Sequence, residues 1–133
     1  MATKFFTPGQ NALRATSKAD VFVASLRGAK FRDADSIINY RSNDWIDLPG
    51  SWGAGGNGAT IRGSLFTASF RDSLSRSIAA NLRVGEAGVF TLKAGGGWPK
   101  SKVLYYNRGS SGVDVGKDLL VILRDYGGSV NIF

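Results

Sequence analysis

Asp72-Ser73-Leu74-Ser75-Arg76-Ser77-Ile78-Ala79-Ala80-Asn81-Leu82-Arg83-Val84 admits two readings, and the fold class turns on which one holds. Leu74, Ile78 and Leu82 recur every fourth residue, as on one face of a helix. The same residues also alternate: Leu74, Arg76, Ile78, Ala80, Leu82 and Val84 against Ser73, Ser75, Ser77, Ala79, Asn81 and Arg83. That alternation, with serines filling the second row, favours a strand with one wet face.

Downstream the rhythm is strand-like. Gly85-Glu86-Ala87-Gly88 is a turn, Val89 to Lys93 a strand, and Gly95-Gly96-Gly97 with Trp98-Pro99 a second break. Val103 to Asn107 and Leu119 to Tyr126 read as strands, and Val130 to Phe133 as a last edge. Upstream, Thr60 to Phe70 alternates, and Pro49 to Ala59 is a glycine-rich loop. Asp44 to Pro49 and Ser36 to Tyr40 are short extended pieces. Residues 17–30 fit a short helix, through Ser17-x-x-Asp20 as a capping box and Phe22 and Leu26 four apart. They also fit a strand buried on both faces, which the β-like remainder of the chain favours. Residues 1–16 read as an extended arm, turned at Pro8-Gly9 and carrying Phe5 and Phe6. Two phenylalanines on an arm call for docking, on its own domain or on a neighbour.

The predicted fold is therefore all-β: a single antiparallel β-sandwich or jelly roll of about seven to nine short strands. It has an extended arm over 1–16 and one domain over 17–133. A short helix near 17–30 is left open.

Composition narrows the chemistry. The 133 residues include 17 Lys+Arg and 10 Asp+Glu, a formal net charge of +7, with no His and no Cys. Disulfides, thiol nucleophiles, Ser-His-Asp catalysis and His- or Cys-ligated metals are excluded. Nine of the ten acids are Asp, a turn and cap former; Glu86 is the exception. A pI near 10.1 suits an anionic partner: nucleic acid, a phospholipid surface or acidic protein. No apolar stretch approaches the roughly 18 residues that span a membrane, and Met1 to Pro8 lacks the apolar core of a signal peptide.

The short motifs are weak. Gly53-Ala54-Gly55-Gly56-Asn57-Gly58 spells G-x-G-x-x-G, but Pro49-Gly50 precedes it and strand-like Thr60-Ile61 follows, whereas a dinucleotide fingerprint needs a strand before and a helix after. Asp33/Asp35, Asp44/Asp47 and Asp114/Asp118 are paired acids, all beside turns or strand ends where Asp serves the backbone. The interleaving of aromatics and bases is the stronger signal. Trp98, Lys100, Lys102, Tyr105 and Arg108 are candidate nucleic-acid contacts, through base stacking and phosphate neutralisation. Adjacent Tyr105 and Tyr106 point to opposite faces, so in a one-sided sheet only one is core. Trp52 or Trp98 would serve a carbohydrate-binding sandwich as a stacking platform. The apolar pairs Phe5, Phe6 and Ile132, Phe133 are best satisfied by a neighbouring subunit.

Four segments carry a likeness: Trp45 to Pro49; Leu82-Arg83-Val84-Gly85-Glu86-Ala87-Gly88-Val89-Phe90-Thr91-Leu92; Lys102 to Asn107; and Leu119 to Leu123. Their succession resembles small jelly-roll proteins of bacteriophage particles, of vertex, penton or coat type. The resemblance implies a virion structural protein made in a host cytoplasm, without catalytic residues, cofactor or metal. Its partners would be copies of itself or other virion proteins, with nucleic acid on the basic surface. A single-stranded nucleic-acid-binding module is the alternative, and a carbohydrate-binding sandwich the third reading.

Overall fold

The chain takes the helical reading of the 72–84 stretch. In the computed structural model, which describes residues 2–7, 12–24, 35–50, 52–54, 58–63, 68–95, 97–109, 113–114 and 116–133, Ala68–Asn81 form a helix, α1. Phe70, Leu74 and Ile78 are fully buried and Leu82 nearly so. Asp72, Arg76, Ala79 and Ala80 lie exposed. Serine-rich sequence has modest helix propensity. The helix is held by the apolar stripe it packs, as most helices in proteins are. Leu82 N–H still donates to the Ile78 carbonyl at 2.7 Å, so the stripe runs one residue past the helix. Glu86 then accepts the Arg83 N–H at 2.8 Å across a turn closed by Gly85 at φ 91°.

Among the described residues eleven strands accompany the helix: β1 (Ala2–Phe5), β2 (Ala12–Arg14), β3 (Asp20–Val23), β4 (Asp35–Ile38), β5 (Trp45–Asp47), β6 (Gly53–Ala54), β7 (Thr60–Ile61), β8 (Glu86–Leu92), β9 (Ser101–Tyr106), β10 (Leu119–Arg124) and β11 (Asn131–Ile132). They make two sheets. The smaller runs β1-β3-β5-β11, and all its pairs are parallel. The larger runs β2-β4-β10-β9-β8-β6, with β7 pairing the far end of β8. In it only β10–β9 and β9–β8 are antiparallel, while β2–β4, β4–β10, β6–β8 and β7–β8 are parallel.

This overturns the predicted antiparallel sandwich or jelly roll. The first five strands alternate between the two sheets, winding from one layer to the other. A turn marked by Gly, Pro or Asp reads the same whether the chain doubles back beside itself or crosses to the facing layer. Of residues 1–16, read as an arm, Ala2–Phe5 and Ala12–Arg14 are edge strands of the two sheets, and 8–11 lie outside the described residues. Of residues 17–30, Asp20–Val23 form a strand, and 25–30 lie outside the described residues. The helix, expected near 17–30 if anywhere, stands at Ala68–Asn81.

The larger sheet is the middle of three layers. One of its faces packs on the smaller sheet, joining Ile37, Leu104, Tyr106, Leu119, Val121 and Leu123 to Phe22 and Ile46. Its other face packs on α1, joining Phe90, Val103, Tyr105, Leu120 and Ile122 to Phe70, Leu74 and Ile78. Two-sided burial explains the unbroken run Leu119-Leu120-Val121-Ile122-Leu123. It also buries both Tyr105 and Tyr106. Among the described residues no helix is long and apolar enough to cross a membrane.

Candidate subunit interface

Among the described residues the larger sheet has both faces covered and the smaller has one. Phe22 and Ile46 point inward and are fully buried, so their neighbours along the strands point outward. The register aligns Thr3, Val21, Trp45 and Asn131 in one outward row. Phe5, Val23 and Asp47 form the next. Phe133 extends that row, because its N–H donates to the Ile46 carbonyl and its carbonyl accepts the Leu48 N–H. The face is thus aromatic and aliphatic, with Asp47 its charged member. Phe5 is 62% exposed, Phe133 51% and Trp45 40%. Trp45 and Phe133 meet edge to face with centroids 5.4 Å apart.

Buried carboxylates hold this sheet in register. Asp20 accepts the Thr16 N–H, the Thr16 hydroxyl and the Ala2 N–H, fastening β1 to the entry of β3. Asp44 accepts the Asp20 N–H and the Arg41 N–H, each at 2.8 Å. Burial pushes the Asp20 carboxyl up, but the Thr16 and Ala2 donors and the Lys4 ammonium outweigh it and hold it below the ordinary 3.8. Tyr40 donates to the Asp44 carbonyl and accepts the Asn131 N–H, tying β11 to the same corner. Burial, the Tyr126 hydroxyl and Asp44 together hold Tyr40 at about 12, despite the Asn131 donor. In the larger sheet Asp118 plays a similar part, accepting Tyr105 Oη and the N–H groups of Arg108, Gly109 and Asp114.

Comparison with protein-family models, curated proteins and solved structures finds no match. What this chain does must be read from its own surfaces.

Of the four predicted contact residues, Phe5 and Phe133 share the outward face, on its two edge strands. They stand three strand spacings apart, about 14 Å. Phe6 is in the core at 3% exposure, and Ile132 is half-buried against the inner cluster. Trp45 is the residue the sequence reading missed. Its alternation with buried Ile46 was legible, but which of the two faced water was not.

The residues considered for nucleic acid are not brought to one platform. Trp98 packs on the helix side under the Arg124 guanidinium, 4.7 Å from its ring centroid. Tyr105 is fully buried on that side. Lys102 lies on the opposite face, donating to Thr91 Oγ1 at 3.0 Å. Arg108 stacks over Tyr106 at 5.5 Å, and Lys100 is exposed. Trp52 is half-buried against the inter-sheet cluster. Among the described residues no three acids stand together as metal ligands.

Proposed function

We propose that the protein is a non-enzymatic structural subunit of a particle, of virion type, which docks the outward face of its smaller sheet on a neighbouring subunit. The exposure of Phe5, Trp45 and Phe133 on two adjacent rows of this face carries this reading. An exposed Trp45–Phe133 pair with Phe5 on the same face favours association. Four short strands present on the order of 200 Å². A stable pairwise complex needs about 800 Å² per partner. Such a face suits weak contacts repeated through an assembly better than one tight dimer. A net charge of +7 adds attraction to an anionic partner without fixing which.

Deleting residues 1–10 is a poor test, because it removes β1 and the buried Phe6 as well. A cleaner test is Trp45→Ser with Phe133→Ser, followed by light scattering after size-exclusion chromatography. Val84→Ser serves as control, being an equally exposed apolar residue (54%) in a turn. The wild type and the control should associate with rising concentration, and the double variant should stay monomeric with unchanged circular dichroism. A wild type that never associates, or a double variant that associates as well as it does, would remove the proposal. Ultraviolet absorbance of the eluting species tells whether nucleic acid travels with it.

A further inference from the structure

Four cations stand together at one rim of the larger sheet. On β8 and β9 the register pairs Val89 with Leu104 and Thr91 with Lys102. Past the last paired residues, Leu92 and Ser101, the chain is bridged again at Gly95 and Trp98 in the same register. Lys93 is therefore opposite Lys100. On the other side of β8, Ile61 pairs with Leu92, and the Ile61 carbonyl accepts the Lys93 N–H at 2.9 Å. Arg62, the next residue, stands beside Lys93. Residues two apart on a strand share a face, so Arg62, Lys93, Lys100 and Lys102 all lie on the face that carries Val89 and Leu104.

Burial falls away along this face. Leu104 is buried in the inter-sheet cluster with Val89 packed against it, Thr91 and Lys102 are half-buried, and Arg62, Lys93 and Lys100 are exposed. Lys102 donates to Thr91 Oγ1 at 3.0 Å, and it also lines an open groove of about 410 Å³ with Val89 and residues 127–130. Strands lie about 4.8 Å apart, so the row Arg62, Lys93, Lys100 spreads over roughly 10 Å, with Lys102 about 7 Å farther in. Like charges directly opposite each other weaken a sheet. The pairing of Leu123 with Lys102 brings Asp125 toward Lys100, but Asp125 is exposed and sits in a left-handed turn at φ 58°. Among the described residues none of the four cations pairs with a carboxylate.

We propose that this patch holds the phosphate backbone of a nucleic-acid strand, by charge and without reading its bases. An anion seated between Lys93 and Lys100 relieves their repulsion. A lone carboxylate would leave the rest of the cluster unmet, whereas successive phosphates along a strand meet the row and Lys102 together. An acidic protein would need apolar anchors among the charges. The neighbours here are Thr91, Gly63, Ala94, Gly95 and Gly97, which offer none and let a sugar-phosphate chain come close. Trp98 is turned to the helix side under Arg124, so it is no stacking platform for this patch. The patch belongs to the larger sheet and needs no second subunit, so it and the aromatic face can fail separately.

The probe is a fluorescent oligothymidylate of about 12 nucleotides, titrated with the full chain and followed by anisotropy at several salt concentrations. Affinity should fall as salt rises, with a logarithmic slope of about −0.7 for each phosphate contact on a single strand. Lys93→Gln with Lys100→Gln should bind on the order of tenfold more weakly at low salt and flatten that slope by about 1.4. Arg76→Gln with Arg83→Gln removes the same charge from exposed positions on and after α1, and should bind within about twofold of the wild type. Circular dichroism checks each variant. Amide shifts of the isotope-labelled wild type should centre on residues 60–62, 91–95 and 100–102. No binding by the wild type at about 0.1 mM chain, a folded lysine variant that binds as well as the wild type, or shifts centred elsewhere would each overturn the proposal. So would an oligoglutamate of equal charge that competes as well as unlabelled oligothymidylate, because the patch would then be one for acidic protein. The shifts and the competition decide the matter even if the lysine variant does not fold.

Discussion

Replacing Asp44 tests how the smaller sheet is held. Its carboxylate is fully buried and accepts two backbone N–H groups at 2.8 Å, from Asp20 and from Arg41. Its own carbonyl accepts Tyr40 Oη at 2.9 Å and Asn131 Nδ2 at 3.0 Å, and these bonds survive a side-chain change. Asp44→Ala removes both charged acceptors and strands the Asp20 N–H where water cannot reach it. Hydrogen bonds to a charged group contribute about 1.5–3 kcal/mol each, and an orphaned buried donor costs as much as its desolvation. The expected loss is therefore about 4 kcal/mol. Asp44→Asn keeps one acceptor oxygen, which will turn to the buried Asp20 N–H and leave the Arg41 N–H facing an amide nitrogen. That change should cost about 2 kcal/mol. Against a total stability of roughly 5–15 kcal/mol, both are readily measured. Urea unfolding at neutral pH, followed by tryptophan fluorescence and by circular dichroism, gives the numbers. The slope with urea should not change, since no extra surface is exposed. Amide exchange should accelerate first in β1 and β3. An alanine loss below about 1 kcal/mol, or equal losses for alanine and asparagine, would refute the two-acceptor account.

Three further outcomes follow from the same structure. Leu74→Ala should cost about 3 kcal/mol by opening a cavity under α1, while Arg76→Ala should change stability by less than about 0.5 kcal/mol; equal costs would restore the alternating reading. Asp20, held below 3.8 in the fold, stabilises the native state at every pH above its unfolded value and loses that contribution as pH falls through the folded one. Stability of the wild type should thus drop steeply below about pH 4, and Asp20→Asn should flatten that slope; parallel acid curves for the two would refute it. Tyr40 stands at about 12, and Tyr105 is raised further by burial and by its bond to Asp118. A raised phenol stabilises the fold below pH 10 and loses this as pH climbs toward the folded value; phenolate absorbance should therefore lag an unfolded control above pH 10, and coincident titrations would count against the burial of these rings.

The strand positions were largely legible. Val89 to Lys93, Val103 to Asn107, Leu119 to Tyr126 and the last edge at 130–133 coincide with β8 to β11 to within a few residues at each end. Hydrophobic runs and glycine turns are local, and local signals survive folding. The helix was missed because alternation counted Arg76, Ala80 and Val84 as apolar-row members, although Arg76 and Ala80 are exposed and Val84 is 54% exposed. The three leucine and isoleucine side chains at four-residue spacing carried the burial, and they alone set the period.

By itself the sequence established that the chain has no His and no Cys, and it located the later strands approximately, counting seven to nine where eleven stand among the described residues. Only the tertiary structure decided how strands pair, since a turn has no memory of whether the chain returns beside itself or crosses to the facing layer. It decided which aromatics are surface as well. Phe5 and Phe6 are neighbours in sequence, yet one is 62% exposed and the other 3%. Alternation requires that they part, but which side meets water depends on which layer packs against the sheet. The helix covers one face of the larger sheet, and Phe5, Trp45 and Phe133 stay exposed on the outward face of the smaller one.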